Sequence, residues 1–269
     1  MAPSVDSQSD PVGPNSKARS GFIDHWIFVF MAGWFVVTAL AGFVPASILK
    51  INAVMAGERP PFPAILHIHA VLMGAWLLLL LAQTWLMATG RRVFHKQLGL
   101  ASLVLAPAIV VAGILLVQTR YAAVGTILAD IDLAAASLRK ISATGILLEQ
   151  VRMGIGFSVL VGWALLVRKA DPQVHKRLMI LATVYPLLAG IDRWFWLPKY
   201  LVDPATFFDL VLLVWIAPMF IWDLLRSGRV HRAYLIWLGV GIPLAIPIHF
   251  LWGNPWWIET AGSWFGWPA

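Results

Sequence analysis

Residues 63–89 read PAILHIHAVLMGAWLLLLLAQTWLMAT, a run without a single charged side chain. A hydrocarbon core about 30 Å thick needs roughly 20 apolar residues in a helix, so this run predicts one membrane-spanning helix. Six other stretches have the same character, and the seven predicted spans are 24–46, 63–89, 97–118, 146–168, 175–197, 205–226 and 231–253. Because the stretches are long and continuous, strands of a transmembrane barrel are excluded. The sequence therefore predicts an all-α, polytopic membrane protein with a seven-transmembrane-helix bundle.

The composition excludes several classes of protein. Of the 269 residues, 60% are apolar and 12% are charged, against about 45–50% and about 25% in a soluble domain. The 15 Trp and 14 Phe exclude a disordered chain. With no Cys, disulfides, thiolate metal sites, iron–sulfur clusters and covalently attached haem are excluded. The net charge of +7 comes from short basic clusters between apolar segments, which favours a lipid bilayer over nucleic acid as the partner.

The basic residues predict the orientation of the chain. Eight lie on one side of the predicted bundle and twelve on the other, namely Lys17, Arg19, Arg91, Arg92, Lys96, Arg168, Lys169, Lys176, Arg177, Arg226, Arg229 and Arg232. Since basic loops stay in the cytoplasm, we expect a multi-pass protein of the cell (inner) membrane, with its N-terminus inside and its C-terminus outside.

Three segments flank or interrupt the spans within the predicted transmembrane domain, 23–258. Residues 1–22 predict a disordered cytoplasmic tail, too polar for a cleaved signal peptide. Residues 119–145 predict an outer connection, with an amphipathic surface helix over 126–142 or, alternatively, a lid. Residues 259–269 predict an outer C-terminal tail, and we expect an interfacial belt from Trp252, Trp256, Trp257, Trp264 and Trp267.

Ionisable groups inside a bilayer are costly and often functional. We estimate depth in the membrane at about 1.5 Å per residue from the cytoplasmic basic residues. One set of ionisable side chains then falls in the outer third of the membrane, roughly 22–33 Å from its inner boundary. It comprises His67, His69, Glu149, Arg152, Asp192, Arg193, Asp209 and His249. His67 and His69 are about 200° apart on a helix, so we expect the deeper His69 to face the bundle. A purely structural alternative pairs Glu149 with Arg152, and Asp192 with Arg193 or Arg152.

Four more histidines stand at predicted helix ends on the cytoplasmic side: His25, His95, His175 and His231. They are either ordinary residues of the membrane interface without a ligand role, or ligands of a second cofactor centre. In that centre, Asp223 would orient one imidazole. The segments Val93-Phe-His95-Lys96 and Val174-His175-Lys176 also form a short internal echo.

Neutral imidazoles suit haem iron, copper and zinc. We expect His69 and His249 to hold an outer b-type haem, and two of the four cytoplasmic-side histidines to hold an inner one. Two stacked haems would transfer electrons across the membrane, with a quinone or a redox protein as partner. In the first alternative, His67, His69 and His249 hold zinc or copper, and Glu149 or Asp192 deprotonates a metal-bound water. In the second, the chain is a non-catalytic accessory or pigment-holding subunit of a larger membrane complex. Whether it is an enzyme stays open.

Helix-end histidines and the run His95-Lys-Gln-Leu-Gly99 resemble di-haem b-type cytochromes of the ascorbate-dependent and ferric reductase class, over residues 63–193 at most. The seven-helix layout is similar to that of the membrane ceramidase and adiponectin-receptor superfamily, but its paired-histidine motif on the last helix is missing. The whole chain resembles a family of uncharacterised bacterial multi-pass inner-membrane proteins, which implies the architecture and no activity. The matching residues are His67-Ile-His69-Ala70, Trp76…Gln83, His95-Lys-Gln-Leu-Gly99, His175-Lys-Arg-Leu-Met179 and Asp223-Leu-Leu-Arg…His231.

Overall fold

The computed structural model describes residues 21–199 and 201–268, which form helices and no strand. The predicted tail, 1–22, lies outside the described residues except for its last two positions. In chain order the helices are α1 (Phe22–Met55), α2 (Ala64–Ala88), α3 (Arg92–Gly99), α4 (Ser102–Ala129), α5 (Leu133–Val167), α6 (Pro172–Ile191), α7 (Pro204–Ser227), α8 (Arg232–Leu251) and α9 (Pro255–Trp264).

Seven helical segments of the described chain are long and apolar enough to cross a membrane. They are α1, α2, the α3–α4 pair, α5, α6, α7 and α8. The number of spans and the all-helical class agree with the prediction, and the architecture is compatible with a multi-pass membrane bundle.

Side-chain caps explain where several helices begin. The residue before each of five helices accepts a hydrogen bond from a backbone N–H in the first turn; these residues are Asp132, Asp171, Asp203, His231 and Asn254. Each cap satisfies a donor that the helix itself cannot pair. A proline follows the cap in α6, α7 and α9, where its missing N–H costs nothing.

Helices extend beyond the predicted spans near the 119–145 connection. Instead of a separate surface helix, α4 continues to Ala129 and α5 begins at Leu133. Hydropathy drops at the charged residues here, but most of the residues still favour helix, and Asp132 caps α5 through a bond from the Ala135 N–H. The predicted C-terminal tail likewise overlaps a helix, α9.

One end of the bundle is tied together by ion pairs. We call it the basic end: α1, α6 and α8 begin there, and α2, α5 and α7 end there. Asp24 of α1 pairs with Arg226 of α7 at 2.8 Å, and Arg232 of α8 pairs with Asp171, the cap of α6. The other end of the bundle is called the far end.

The centre of the bundle is α6, which packs on α1, α5, α7 and α8. Its crossing with α1 is so close that a Cβ on Gly42 would overlap the Gly190 carbonyl oxygen. Two indole N–H groups bond to Thr38 of α1: Trp215 reaches its hydroxyl at 3.0 Å and Trp194 its carbonyl at 3.2 Å. These contacts hold α1, α6 and α7 in register.

The predicted tryptophan belt at the far end is wrong for two of its members. Trp257 and Trp267 are buried, and their indole N–H groups donate to the carbonyls of Thr144 and Tyr121 at 3.1 and 2.8 Å. They fasten α9 and the residues after it to α4 and α5. Trp256 and Trp264 are exposed, as a belt requires.

Candidate functional site

Four ionisable side chains meet between α5, α7 and α8 towards the far end. Arg152 Nη2 lies 2.5 Å from Asp209 Oδ1, and Arg152 Nη1 lies 3.5 Å from Glu149 Oε1. His249 Nε2 lies 2.8 Å from the second oxygen of Asp209. We call Glu149, Arg152, Asp209 and His249 the buried polar network. The structure thus brings together part of the polar layer predicted from depth.

Several polar atoms around this network are enclosed without a hydrogen-bond partner among the described residues. They are Glu149 Oε2, Arg152 Nε and the Tyr185 hydroxyl. Glu149 and Arg152 are 2% and 5% exposed, whereas Tyr185 of α6 is fully buried. Because an unpaired buried polar group is costly, such a concentration marks a place for water or an exchangeable proton.

The predicted outer haem ligands, His69 and His249, face different neighbours. The ring of His69 lies against α4, where a Cβ on Gly113 would be 3.6 Å from its Cε1, and its Nδ1 is buried without a partner in the described structure. His249 binds Asp209 instead. Counting residues along a helix predicts a depth for each ring, but rotation about the helix axis decides which neighbour it meets.

The alternative metal ligands are not gathered at one point. His67 is exposed beside the Phe62 ring, at 6.1 Å between centroids, and Asp192 pairs with Lys199 at 3.3 Å rather than with an arginine. Among the described residues, no group of three or more His, Asp or Glu side chains has a geometry that could hold a metal ion.

Arg193 lies just beyond α6, over the Phe43 ring at 4.5 Å. It donates to the Ala189 carbonyl. Burial, and then the nearby Arg120 guanidinium, lower the pKa of Arg193. The Asp192 carboxylate acts electrostatically on Arg193, but the ion pair that Asp192 forms in the described structure is with Lys199 rather than with Arg193.

Two histidines of the basic end, His25 and His231, differ in their surroundings: one is exposed and the other caps a helix. His25 is exposed on α1. The Nδ1 of His231 accepts the Ala233 N–H at 3.2 Å and so caps α8. Burial and the neighbouring Arg177 lower the pKa of His231, which keeps the ring neutral and able to accept this bond.

The predicted role of Asp223 as an orienter of imidazole is wrong. Its carboxylate accepts hydrogen bonds from the Arg177 guanidinium and from the Tyr234 hydroxyl, the latter at 2.7 Å. Arg177 is the stronger partner because a guanidinium presents two parallel donors to a carboxylate. The cluster ties α6, α7 and α8 together.

His95 and His175 are held in matching ways. His175 Nδ1 lies 2.9 Å from the Ala164 carbonyl oxygen, near the end of α5, and His95 Nδ1 lies 3.4 Å from the Gln83 carbonyl oxygen, near the end of α2. Each carbonyl precedes its histidine by 11 or 12 residues, across a helix–turn–helix connection. Nε2 makes no hydrogen bond within the described chain in either ring. We call His95 and His175 the histidine pair.

The His95 ring acts electrostatically on the His175 ring, although the two histidines come from different hairpins. A contact nearer the middle of the bundle links the same elements: the Trp76 indole N–H of α2 donates to the Thr183 hydroxyl of α6 at 3.0 Å, and the Trp76 ring lies 4.9 Å from Phe157 of α5. This contact joins the α2–α3 hairpin to α5 and α6.

Gln83, whose backbone carbonyl oxygen lies against His95, also has a buried side-chain amide. It lies seven residues after Trp76 and hence on the same face of α2. Both its side-chain polar atoms are buried without partners among the described residues, and a Cβ on Gly99 would be 3.6 Å from its Nε2. Cations stand close by: Lys96 acts electrostatically on His95, and Arg168 on His175.

Two residues of these sites are not among the sequence-predicted candidates: Gln83 and Tyr185. Both are uncharged and sit in apolar runs, so a search for ionisable groups passes over them. A buried amide or phenol still needs a partner, and this requirement is the signal that would have found them.

Comparison of this chain with protein-family models, curated proteins and solved structures gives no match. The chemistry of the histidine pair and of the buried polar network is therefore the basis of the functional argument.

Proposed function

We propose that this chain is a membrane electron-transfer protein that binds one b-type haem through His95 and His175. Its basic end would face the cytoplasm of a cell with an inner membrane, as the excess of basic residues there favours. The electron donor or acceptor at this end would be a redox protein or a quinone, and the chain would work alone or within a larger membrane complex.

The observation that carries the proposal is the matched setting of the two imidazoles. An Nδ1–H bond to a backbone carbonyl fixes the ring orientation and the tautomer, and it leaves Nε2 as the lone-pair donor. Metal-ligating histidines almost always donate their other ring N–H to a carboxylate, a backbone carbonyl or water. His231 lacks this Nδ1–H bond because its own Nδ1 accepts a backbone N–H.

The residues next to the histidine pair also suit a haem group. Haem propionates are anionic, and Lys96 and Arg168 supply cations next to the two rings. The unpaired Gln83 amide offers a further donor. A bound haem would supply a one-electron redox couple, and these residues would bind it, orient it and set the polarity around it.

One haem fits the geometry better than the two expected from depth. His69 and His249 face different helices, and Asp209 already occupies the Nε2 of His249. The zinc or copper alternative needs at least three protein ligands at one point, whereas a haem iron needs only two axial ones. We therefore assign no cofactor to the far end.

Hemin titration of the purified chain in detergent, followed by the Soret absorbance, tests the proposal. We expect His95→Ala and His175→Ala each to abolish saturable binding. The matched controls His25→Ala, His231→Ala, His69→Ala and His249→Ala should keep it. Wild-type protein that takes up no hemin, or binding that survives in both variants of the pair, would overturn the assignment.

A further inference from the structure

Charge does not balance within the buried polar network. Glu149 and Asp209 carry two negative charges when ionised, and Arg152 carries the single fixed positive charge. With His249 neutral, the network holds one excess negative charge at a site where Glu149 and Arg152 are almost fully enclosed. Uncompensated charge in such surroundings is expensive, and binding one proton would remove it.

The other buried carboxylate of the described chain shows the contrast. Asp223 is matched one to one by Arg177, with which it forms two hydrogen bonds, and Tyr234 completes its shell. That cluster is neutral without a proton. The two buried acids therefore differ in charge balance, although both contact an arginine: the surroundings of Asp223 neutralise its charge, whereas those of Glu149 leave one negative charge.

Unpaired atoms show where the extra proton fits. Glu149 Oε2 is enclosed and bonded to nothing in the described structure, while its Oε1 faces Arg152. The Tyr185 hydroxyl, which lies near Glu149, is also enclosed and unpaired in the described structure. A protonated Glu149 turns Oε2 into a donor, and bound water would connect it to this neighbouring acceptor.

A polar connection leads from this interior towards solvent. His249 and Asp209 are 40% and 30% exposed in their side chains, and Asp209 in turn contacts Arg152. His249 also lies near Asp203, the exposed cap of α7. The titratable or charged groups that face Glu149 are thus Arg152 from α5, Tyr185 from α6, Asp209 from α7 and His249 from α8.

We propose that the buried polar network is a proton-binding site, in which Glu149 stores one proton and His249 admits it from the far end. Neutral His249 first takes up a proton from water at the far end, which brings the network from one negative charge to none. An N–H bond of protonated His249 then breaks, and an O–H bond forms at Glu149 Oε2, with water carrying the proton between them. Arg152 keeps its charge throughout, and His249 returns to its neutral form. This site does not depend on haem binding at the basic end.

Infrared difference spectroscopy of the full chain in lipid nanodiscs, with the pH lowered from about 9 to about 4, tests the proposal. We expect the carbonyl stretch of a buried carboxylic acid to appear, and to shift in D₂O because the site exchanges protons. Glu149→Gln, an isosteric mimic of the protonated acid, should remove this band. Glu149→Asp should keep a band at an altered frequency, which distinguishes loss of the acid from loss of the fold.

Matched controls make the assignment specific. Glu259→Gln, at an exposed position of α9, and Asp223→Asn, at the balanced cluster, should leave the band in place. After a rapid pH jump, His249→Asn should slow the appearance of the band by on the order of 100-fold. A band that persists in Glu149→Gln would overturn the proton site, and an unchanged rate in His249→Asn would overturn the entry route. Because the readout is vibrational, it is independent of the hemin titration.

Discussion

At the scale of single residues, the partner of Nδ1 separates the histidines into roles. In His95 and His175 this nitrogen lies against a backbone carbonyl, so the lone pair is left on Nε2. In His231 it accepts a backbone N–H, so the ring serves as a helix cap. Sequence spacing alone treats the three as equivalent, because each stands at the start of a helix next to a basic residue.

The cap formed by His231 predicts a dependence of stability on pH. Its pKa is lower in the folded chain than in the unfolded one, so the unfolded state binds the proton first and stability falls as the pH drops below about 6.5. His231→Asn keeps a capping acceptor that does not titrate.

The thermal unfolding midpoint in detergent, measured from about pH 8 to about pH 5, checks this prediction. The wild-type midpoint should fall relative to that of His231→Asn over the acidic part of the range. His25→Asn, at an exposed position, should follow the wild type. Parallel curves for the wild type and His231→Asn would contradict the role of the cap.

At the residue scale, the depth predicted for Asp209 and His249 agrees with the contact between them, but the direction of each side chain could not be predicted. The rise of about 1.5 Å per residue places His69, Asp209 and His249 at similar levels. Which neighbour each one meets depends on helix rotation and on the order of packing, and these follow from contacts such as the one between Trp76 and Thr183. A uniformly apolar helix carries little periodic signal from which to read that rotation.

At the scale of elements, the α1–α6 crossing depends on Gly42 and Gly190, which have no side chain to keep the two helices apart. Small residues let helix backbones approach closely, which is how helices associate inside a bilayer. A methyl group at Gly42 would overlap the Gly190 carbonyl, which is backbone and cannot rotate away.

We therefore predict that Gly42→Ala destabilises the chain by about 1–3 kcal/mol through overpacking. Gly33→Ala lies on the same helix with nothing within 4 Å of its new Cβ, and it should change stability by no more than about 0.5 kcal/mol. Unfolding in a graded denaturing detergent measures both. Equal stability of the two variants would contradict the close crossing.

Helix existence was predicted well from apolar runs, and helix ends were predicted less well. The apolar run of the third predicted span ends near Arg120, and the next apolar run begins near Gly145. The backbone between them stays helical apart from a short turn near Asp132. The reason is that hydropathy measures compatibility with lipid, while helix formation depends on propensity and capping, which continue outside the hydrocarbon core.

At the scale of the whole molecule, α5 connects the two candidate sites. The Ala164 carbonyl near the basic end contacts His175, and Glu149 and Arg152 lie 12 to 15 residues away towards the far end, a distance of about 20 Å. The separation fits two independent activities, electron transfer at one end and proton binding towards the other.

The orientation of the bundle can be tested cleanly because the chain has no cysteine. We predict that a membrane-impermeant maleimide labels Glu259→Cys in intact cells, since α9 lies at the far end. Arg229→Cys, in the turn between α7 and α8, should be labelled only after lysis. The reverse pattern would contradict the orientation with the basic end in the cytoplasm.

The central claim is that His95 and His175 together ligate one haem. The most direct measurement is low-temperature electron paramagnetic resonance of the haem-loaded chain, combined with the haem-to-protein ratio. We predict one haem per chain with a low-spin bis-imidazole signal, which becomes high-spin or disappears when either histidine is replaced by alanine. A low-spin signal unchanged in both variants, or a chain that binds no haem, would contradict the claim.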